Sequence, residues 1–350
     1  MNSRLKFKIN ELKFDLKAKP SFEDAMSQYY QTPDNPEVIL ERIFIESEEE
    51  LFYLFNEYNA VVNGQLFKMK NIIKYYDYHF DDVKKELFIL REYSRKTLDF
   101  TLQSRRARKN YFKKQELLDF TAQILKVLTQ LEENGVILLN LKPTNIFTNE
   151  EITYRVGGLA RSDNNIWLNA EYLSPELKED FEKNPSKLPQ HLNKNYSKKK
   201  AAVYTLGMIL LEAATLEDIS NVNSIGSSLL QSTKLKQLLD LVEEKYQGYR
   251  LFLERFFLPY SQRPDIVECW CMSSDLQIID GIIMIGDTWN FDKQSQPESE
   301  ITSSELEEQK QNSESKSTSI VLDKDKGPQF TTVKKRCGGG FYYKKTFKKD

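Results

Sequence analysis

The stretch AAVYTLGMILLEAA, residues 201 to 214, constrains this chain more than any other, because it is apolar nearly all the way round a helical wheel. In a water-soluble protein such a helix has no face to give to solvent and must be enclosed on every side. It is too short to cross a bilayer, and no stretch of the chain reaches the roughly 18 apolar residues of a membrane-spanning helix. The chain must therefore build a helical lobe around it. A second helix is predicted from residues 114 to 132, where Leu117, Phe120, Ile124, Val127, Leu128 and Leu131 recur with helical spacing. That helix presents a single apolar stripe to the lobe.

The first hundred residues follow a different pattern. Leu5, Phe7 and Ile9, then Leu12, Phe14 and Leu16, alternate as strand residues do, and a polar turn-rich stretch with Pro33 and Pro36 follows. Residues 38 to 45, VILERIFI, read as a buried strand. Next comes a helix over 48 to 63: Ser47 and Glu50 form a capping box, Asn63-Gly64 can close it, and Leu51, Leu54, Phe55, Tyr58 and Val62 share a face. Residues 71 to 80 and 85 to 93 add two strand-like runs. Strands, one helix and more strands, followed by helices, make an α+β chain with a small mixed lobe ahead of a larger helical one.

Composition narrows the function class. Hydrophobic residues are 40% and charged residues 29%, and 50 basic against 52 acidic side chains leave a net charge of −2. The chain as a whole has no electrostatic reason to seek a polyanion. Three cysteines, Cys269, Cys271 and Cys337, are an odd and sparse set that argues against a disulfide framework. Cys269 and Cys271 could share a metal, but the two histidines, His79 and His191, lie far off in sequence, so no metal is expected. The N-terminal MNSRLKFKIN has no secretory core, and an intracellular, cytoplasmic location is the expectation, with the nucleus open through the basic tail.

Between the two predicted helices lies VILLNLKPTNIF, residues 136 to 147. Its Leu-Lys-Pro-x-Asn-Ile core is similar to the catalytic loop of eukaryotic Ser/Thr protein kinases, whose usual form is His-Arg-Asp-Leu-Lys-Pro-x-Asn-Ile-Leu. Four further segments fit the same family in the right order. VGGLAR at 156 to 161 stands where the metal-binding Asp-Phe-Gly-Leu-Ala-Arg would be, and YLSPEL at 172 to 177 resembles the Ala-Pro-Glu end of the activation segment. VYTLGMILLE at 203 to 212 resembles the buried helix after it, and SQRPDI at 261 to 266 the Arg-Pro element near the domain's end. The resemblance implies a two-lobed protein kinase-like fold, with a small β-rich N-lobe carrying one main helix and a larger, mostly helical C-lobe. It also implies an ion pair between Glu176 and Arg263, and places Gly207 within the buried helix.

The elements that move phosphate are degenerate. Phosphoryl transfer needs backbone amides close to the phosphates, magnesium to neutralise charge, and a base for the acceptor hydroxyl. The first glycine of the chain is Gly64, so the glycine-rich loop is absent. By resemblance the phosphate-pairing lysine falls on Glu41, the catalytic-loop aspartate on Asn140, the metal-binding aspartate on Val156, and a loop-steadying aspartate on Ala202. No acid occurs from 152 to 162. Lys142, Asn145 and Glu57 survive as vestigial nucleotide-site candidates, with no intact catalytic residue and no bound cofactor expected.

The resemblance therefore implies a pseudokinase that acts as scaffold or allosteric regulator through protein contacts, its partner an active kinase or that kinase's substrate. Two alternatives stand beside it. One is a divergent, active ATP- and magnesium-dependent Ser/Thr kinase with relocated catalytic residues. The other is a nucleic-acid or membrane tether through the basic C-terminal tail, although a nucleic acid is not the expected partner. The expected organisation is an N-lobe over 1–95, a C-lobe over 96–270, and an extension over 271–291 packed on it. A disordered Ser- and Glu-rich linker over 292–333 and a basic, aromatic tail over 334–350 complete the chain. By fold analogy the regulatory surfaces are residues 159–174 and the helix over 48–63.

Overall fold

A computed structural model describes Ile9 and residues 12–23, 27–45, 69–139, 141–148, 153–157, 171–183, 197–219, 222, 233–285, 330–337 and 340–347. The expected helix over 48–63, with Glu57 on it, lies outside the described residues, as does Asn140. The chain divides into two units, Met1–Met284 and Ile285–Asp350.

Five antiparallel strands form the first lobe: β1 (Phe22–Glu23), β2 (Ser27–Thr32), β3 (Asn35–Phe44), β4 (Tyr75–Asp81) and β5 (Glu86–Glu92), in the spatial order β1-β2-β3-β5-β4. Strand alternation sorts β3 between two faces. Val38 and Leu40 join Tyr30, Tyr76, Phe88 and Leu90 in one cluster, onto which Ile9, Leu12 and Phe14 pack. Ile39, Glu41 and Ile43 point the other way and are also buried. The expected strand over Leu12 to Leu16 does not form; those residues are turn and irregular chain. The apolar alternation serves a different end, since Leu12 and Phe14 cap the sheet without pairing with it. The backbone amide of Ile9 donates to the Asp77 carboxylate at 3.0 Å and fastens this cap.

The helical lobe begins with α1 (Leu98–Arg108), whose N-cap Thr97 accepts the Phe100 amide at 3.2 Å. Then come α2 (Lys114–Glu133), a single 3-10 turn at Pro143–Asn145, the short hairpin β6 (Ile146–Thr148) and β7 (Tyr154–Val156), and α3 (Pro175–Lys183). Next are α4 (Lys198–Thr215), α5 (Thr233–Lys245), α6 (Tyr249–Glu254), α7 (Ile266–Ser274), and a second short hairpin of β8 (Leu276–Ile279) and β9 (Ile282–Ile285). Every residue of α4 from Ala201 to Thr215 is buried, which is why its sequence has no polar stripe. Lys198 to Lys200 open this helix.

Gly207 shows how tightly α4 is enclosed. A Cβ built on it would lie 2.5 Å from Phe256 Cβ, and Phe256 is itself fully buried. A Gly207→Ala variant gains helix propensity but must push α4 off Phe256, so it should lose about 1 to 3 kcal/mol of stability in a urea titration. Gly248 answers a second constraint. Its φ is +88°, and a Cβ there would stand 1.9 Å from the Ile283 carbonyl oxygen. The Ile283 amide donates to Gln247 at 2.8 Å and its side chain is 1% exposed, so β9 lies directly on the turn before α6.

Cys269 is a free, buried thiol whose pKa is pushed well up by that burial. Among the described residues no helix is long and apolar enough to cross a membrane.

In the second unit, β10 (Phe330–Cys337) and β11 (Gly340–Phe347) pair antiparallel along their whole length. Residues 330–333, at the end of the expected linker, are thus the start of a strand.

Candidate functional site

Three segments converge where the sequence reading puts the site. The 3-10 turn Pro143–Asn145 is entered through Lys142, whose backbone is extended (φ −155°, ψ 160°) and whose carbonyl accepts the Asn145 amide at 2.9 Å. Pro143 suits the first position of that turn because its φ is fixed and no amide is missed there. The Asn145 carbonyl in turn accepts the Gly157 amide at 2.8 Å. This bond stitches the loop to the end of β7. Lys142 and Asn145 are both half-buried.

Val156 occupies the centre of that stitch. Its amide donates to Asn71 at 2.8 Å, its carbonyl accepts from Ile73 at 3.0 Å, and its side chain is wholly buried. Beside it, a Cβ on Gly157 would stand 2.6 Å from Ile73 Cδ1 and 2.7 Å from Phe147 Cε2. Apolar side chains fill the surroundings of this position. Upstream, Leu138 and Leu139 are each 1% exposed. Leu139 packs in a cluster with Leu173, Leu177, Ala201 and Ile137, so an apolar contact joins the catalytic-loop segment to the Tyr172-to-Leu177 segment.

Glu41 sits in the sheet between Tyr29 on β2 and Ile89 on β5. Its carboxylate accepts from Tyr29 Oη at 3.3 Å and from Arg91 Nε at 3.0 Å. Both ions are nearly out of water, with side chains 8% and 11% exposed. Burial works to lower the Arg91 pKa, but the Glu41 charge, with Tyr29 and Tyr75, overcomes it and holds the guanidinium above its ordinary value. The Arg91 guanidinium carbon also lies 5.7 Å from the Tyr29 ring centroid. Strand β7 is tied to the end of β5 by Arg155, whose Nη1 contacts both Glu92 oxygens at 2.7 Å.

Lower in the helical lobe, Arg263 donates to both Glu176 oxygens, the Nη2 bond measuring 3.3 Å. It also donates to the carbonyls of Lys200 at 3.1 Å and Leu258 at 3.2 Å, and lies 5.0 Å from the Tyr204 ring centroid. Arg263 is the largest fully buried side chain of the described residues. Close by, Glu212 near the end of α4 accepts from Tyr172 Oη at 2.7 Å and Arg106 at 3.1 Å. Burial raises the Glu212 pKa against the opposing pull of those two bonds. The segment after β7 is therefore anchored at its far end by two polar clusters, one on Glu176 and one on Glu212.

A family model described as the protein kinase domain matches residues 46–251, more than half of the chain. The chain belongs to the protein kinase domain family. No curated protein matches it. The kinase domain has a small β-sheet N-lobe and a helical region, and the antiparallel sheet and the enclosed α4 are those parts. Against this fold, the residues brought together are Lys142, Asn145, Val156 and Gly157 around the loop, and Glu176 with Arg263 beneath it. Glu41 stands apart in the sheet with Arg91.

A kinase domain implies a magnesium nucleotide, and the described residues at the expected site do not fit one. Val156, which the resemblance sets at the metal-binding carboxylate, is apolar and buried. Glu41, which it sets at the phosphate-pairing cation, is an anion, and the nearby Arg91 is paired with it. Reading the sequence alone missed Arg91, Tyr29, Ile73 and Phe147. The alternation of Leu87, Ile89 and Arg91 was a usable signal for the first, since it puts Arg91 on the same face of the sheet as Glu41.

Proposed function

We propose that this kinase domain is a pseudokinase, a scaffold or allosteric regulator that works through protein contacts within the cell. The observation that carries the reading is the buried Glu41–Arg91 pair. A nucleotide phosphate needs an uncommitted cation at this place in the sheet, and here the anion is on β3 and the cation on β5 is consumed by it. Val156 adds a second deficit at the metal position. Losing one transition-state contact costs on the order of 100-fold in rate, so the combined loss leaves negligible transfer. Retention of the Glu176–Arg263 pair and the enclosed α4 fits a domain whose shape is what partners read.

A thermal-shift titration with ATP and ADP, each with and without magnesium, tests the proposal. A ligand at 100 times its Kd stabilises the folded form by about 2.7 kcal/mol, which moves a domain of this size by roughly 5 to 10 °C. We expect a change under about 1 °C at millimolar nucleotide. A magnesium-dependent rise of several degrees would sink the pseudokinase reading in favour of an active kinase with relocated groups.

A further inference from the structure

We propose that the β10–β11 hairpin binds single-stranded nucleic acid on one of its two faces. The register pairs Phe330 with Phe347, Thr332 with Lys345, Lys334 with Tyr343, and Arg336 with Phe341. Directly paired residues, and residues two apart, share a face of an antiparallel sheet. One face therefore carries Phe330, Lys334, Arg336, Phe341, Tyr343, Lys345 and Phe347, with Thr332 between. The opposite face carries Lys335, Lys344, Tyr342 and Val333 among small residues.

Two features of this placement point to a polyanion with flat rings. Residues 330 to 347 include five lysines and arginines and no carboxylate. Three of those cations fall among four aromatic residues on the first face, and Lys334 stands opposite Tyr343 and Arg336 opposite Phe341, so a position that neutralises phosphate lies beside one on which a base can stack. A membrane-surface element is arranged differently, with its apolar residues on one side and its charges on the other. In this hairpin both faces carry cations, so neither is an apolar face to bury in lipid. The chain's overall charge of −2 hides this local concentration.

The test uses the full chain and fluorescent 20-nucleotide oligo-dT and oligo-U, read by anisotropy over a salt series. For the unaltered chain, affinity should fall steeply with salt. Replacing Lys334, Arg336 and Lys345 together by alanine should weaken binding at least tenfold and flatten the log–log salt slope by about 2. A Phe341→Ala, Tyr343→Ala variant should lose roughly 10- to 100-fold or more with the slope unchanged, because stacking releases no counterions. Phe341→Trp with Tyr343→Trp should keep binding, and a Val333→Ala, Tyr342→Ala variant on the opposite face should change it by less than about threefold. Equal losses from both faces, or no loss from the aromatic pair, would overturn the assignment. So would binding to phosphatidylserine vesicles without binding to either oligonucleotide.

Discussion

Arg263→Ala is expected to lower the stability of the first unit by about 3 to 5 kcal/mol, a fall of roughly 6 to 20 °C in melting temperature. The reason is the charge left behind. Glu176 keeps its position at the start of α3 and its side chain is 7% exposed, so without Arg263 its carboxylate faces protein rather than water. The Lys200 and Leu258 carbonyls lose a donor in the same step. A double variant, Glu176→Leu with Arg263→Met, removes both ions and should recover much of the loss, because two buried charges are not intrinsically better than well-packed apolar groups. Urea titrations of the two variants separate the outcomes. A single variant that loses less than about 1 kcal/mol would show that water reaches Glu176.

The second large effect concerns Glu41 and Arg91. Arg91→Met leaves the buried Glu41 carboxylate without its cation, and should again cost about 3 to 5 kcal/mol by chemical denaturation. Glu41→Leu in the same background should restore stability. The informative reversal is Glu41→Lys, which installs the residue type that kinases use at this place. Here it sets a second cation against Arg91 inside the sheet, so it should destabilise the domain by a similar amount and confer no nucleotide-dependent thermal shift. If Glu41→Lys folded normally and gained a magnesium-dependent shift, the pair would be a passive substitution and not a barrier to nucleotide.

Much of this was legible in the chain itself. The enclosed helix α4 could be read because burial on all sides removes the polar stripe and leaves a run that is apolar all the way round. The loop around Asn145 could be read because its Leu-Lys-Pro-x-Asn-Ile residues resemble the kinase catalytic loop. Leu12 to Leu16 misled because alternation records which residues are buried, and a cap lying on a sheet buries alternate residues much as a strand does. Arg91 escaped because its importance comes from a neighbour 50 positions away. The filling of the space beside Gly157 by Ile73 and Phe147 escaped for the same reason. Long-range complementarity leaves no mark in a local window.

The two buried ion pairs share one further property. The matched span, 46–251, includes Arg91 and Glu176 but leaves out Glu41 and Arg263. A fragment trimmed to residues 46–251 would carry an uncompensated arginine in its sheet and an uncompensated glutamate at the start of α3, so any piece of this chain expressed on its own must reach at least from Glu41 to Arg263 to keep both pairs whole.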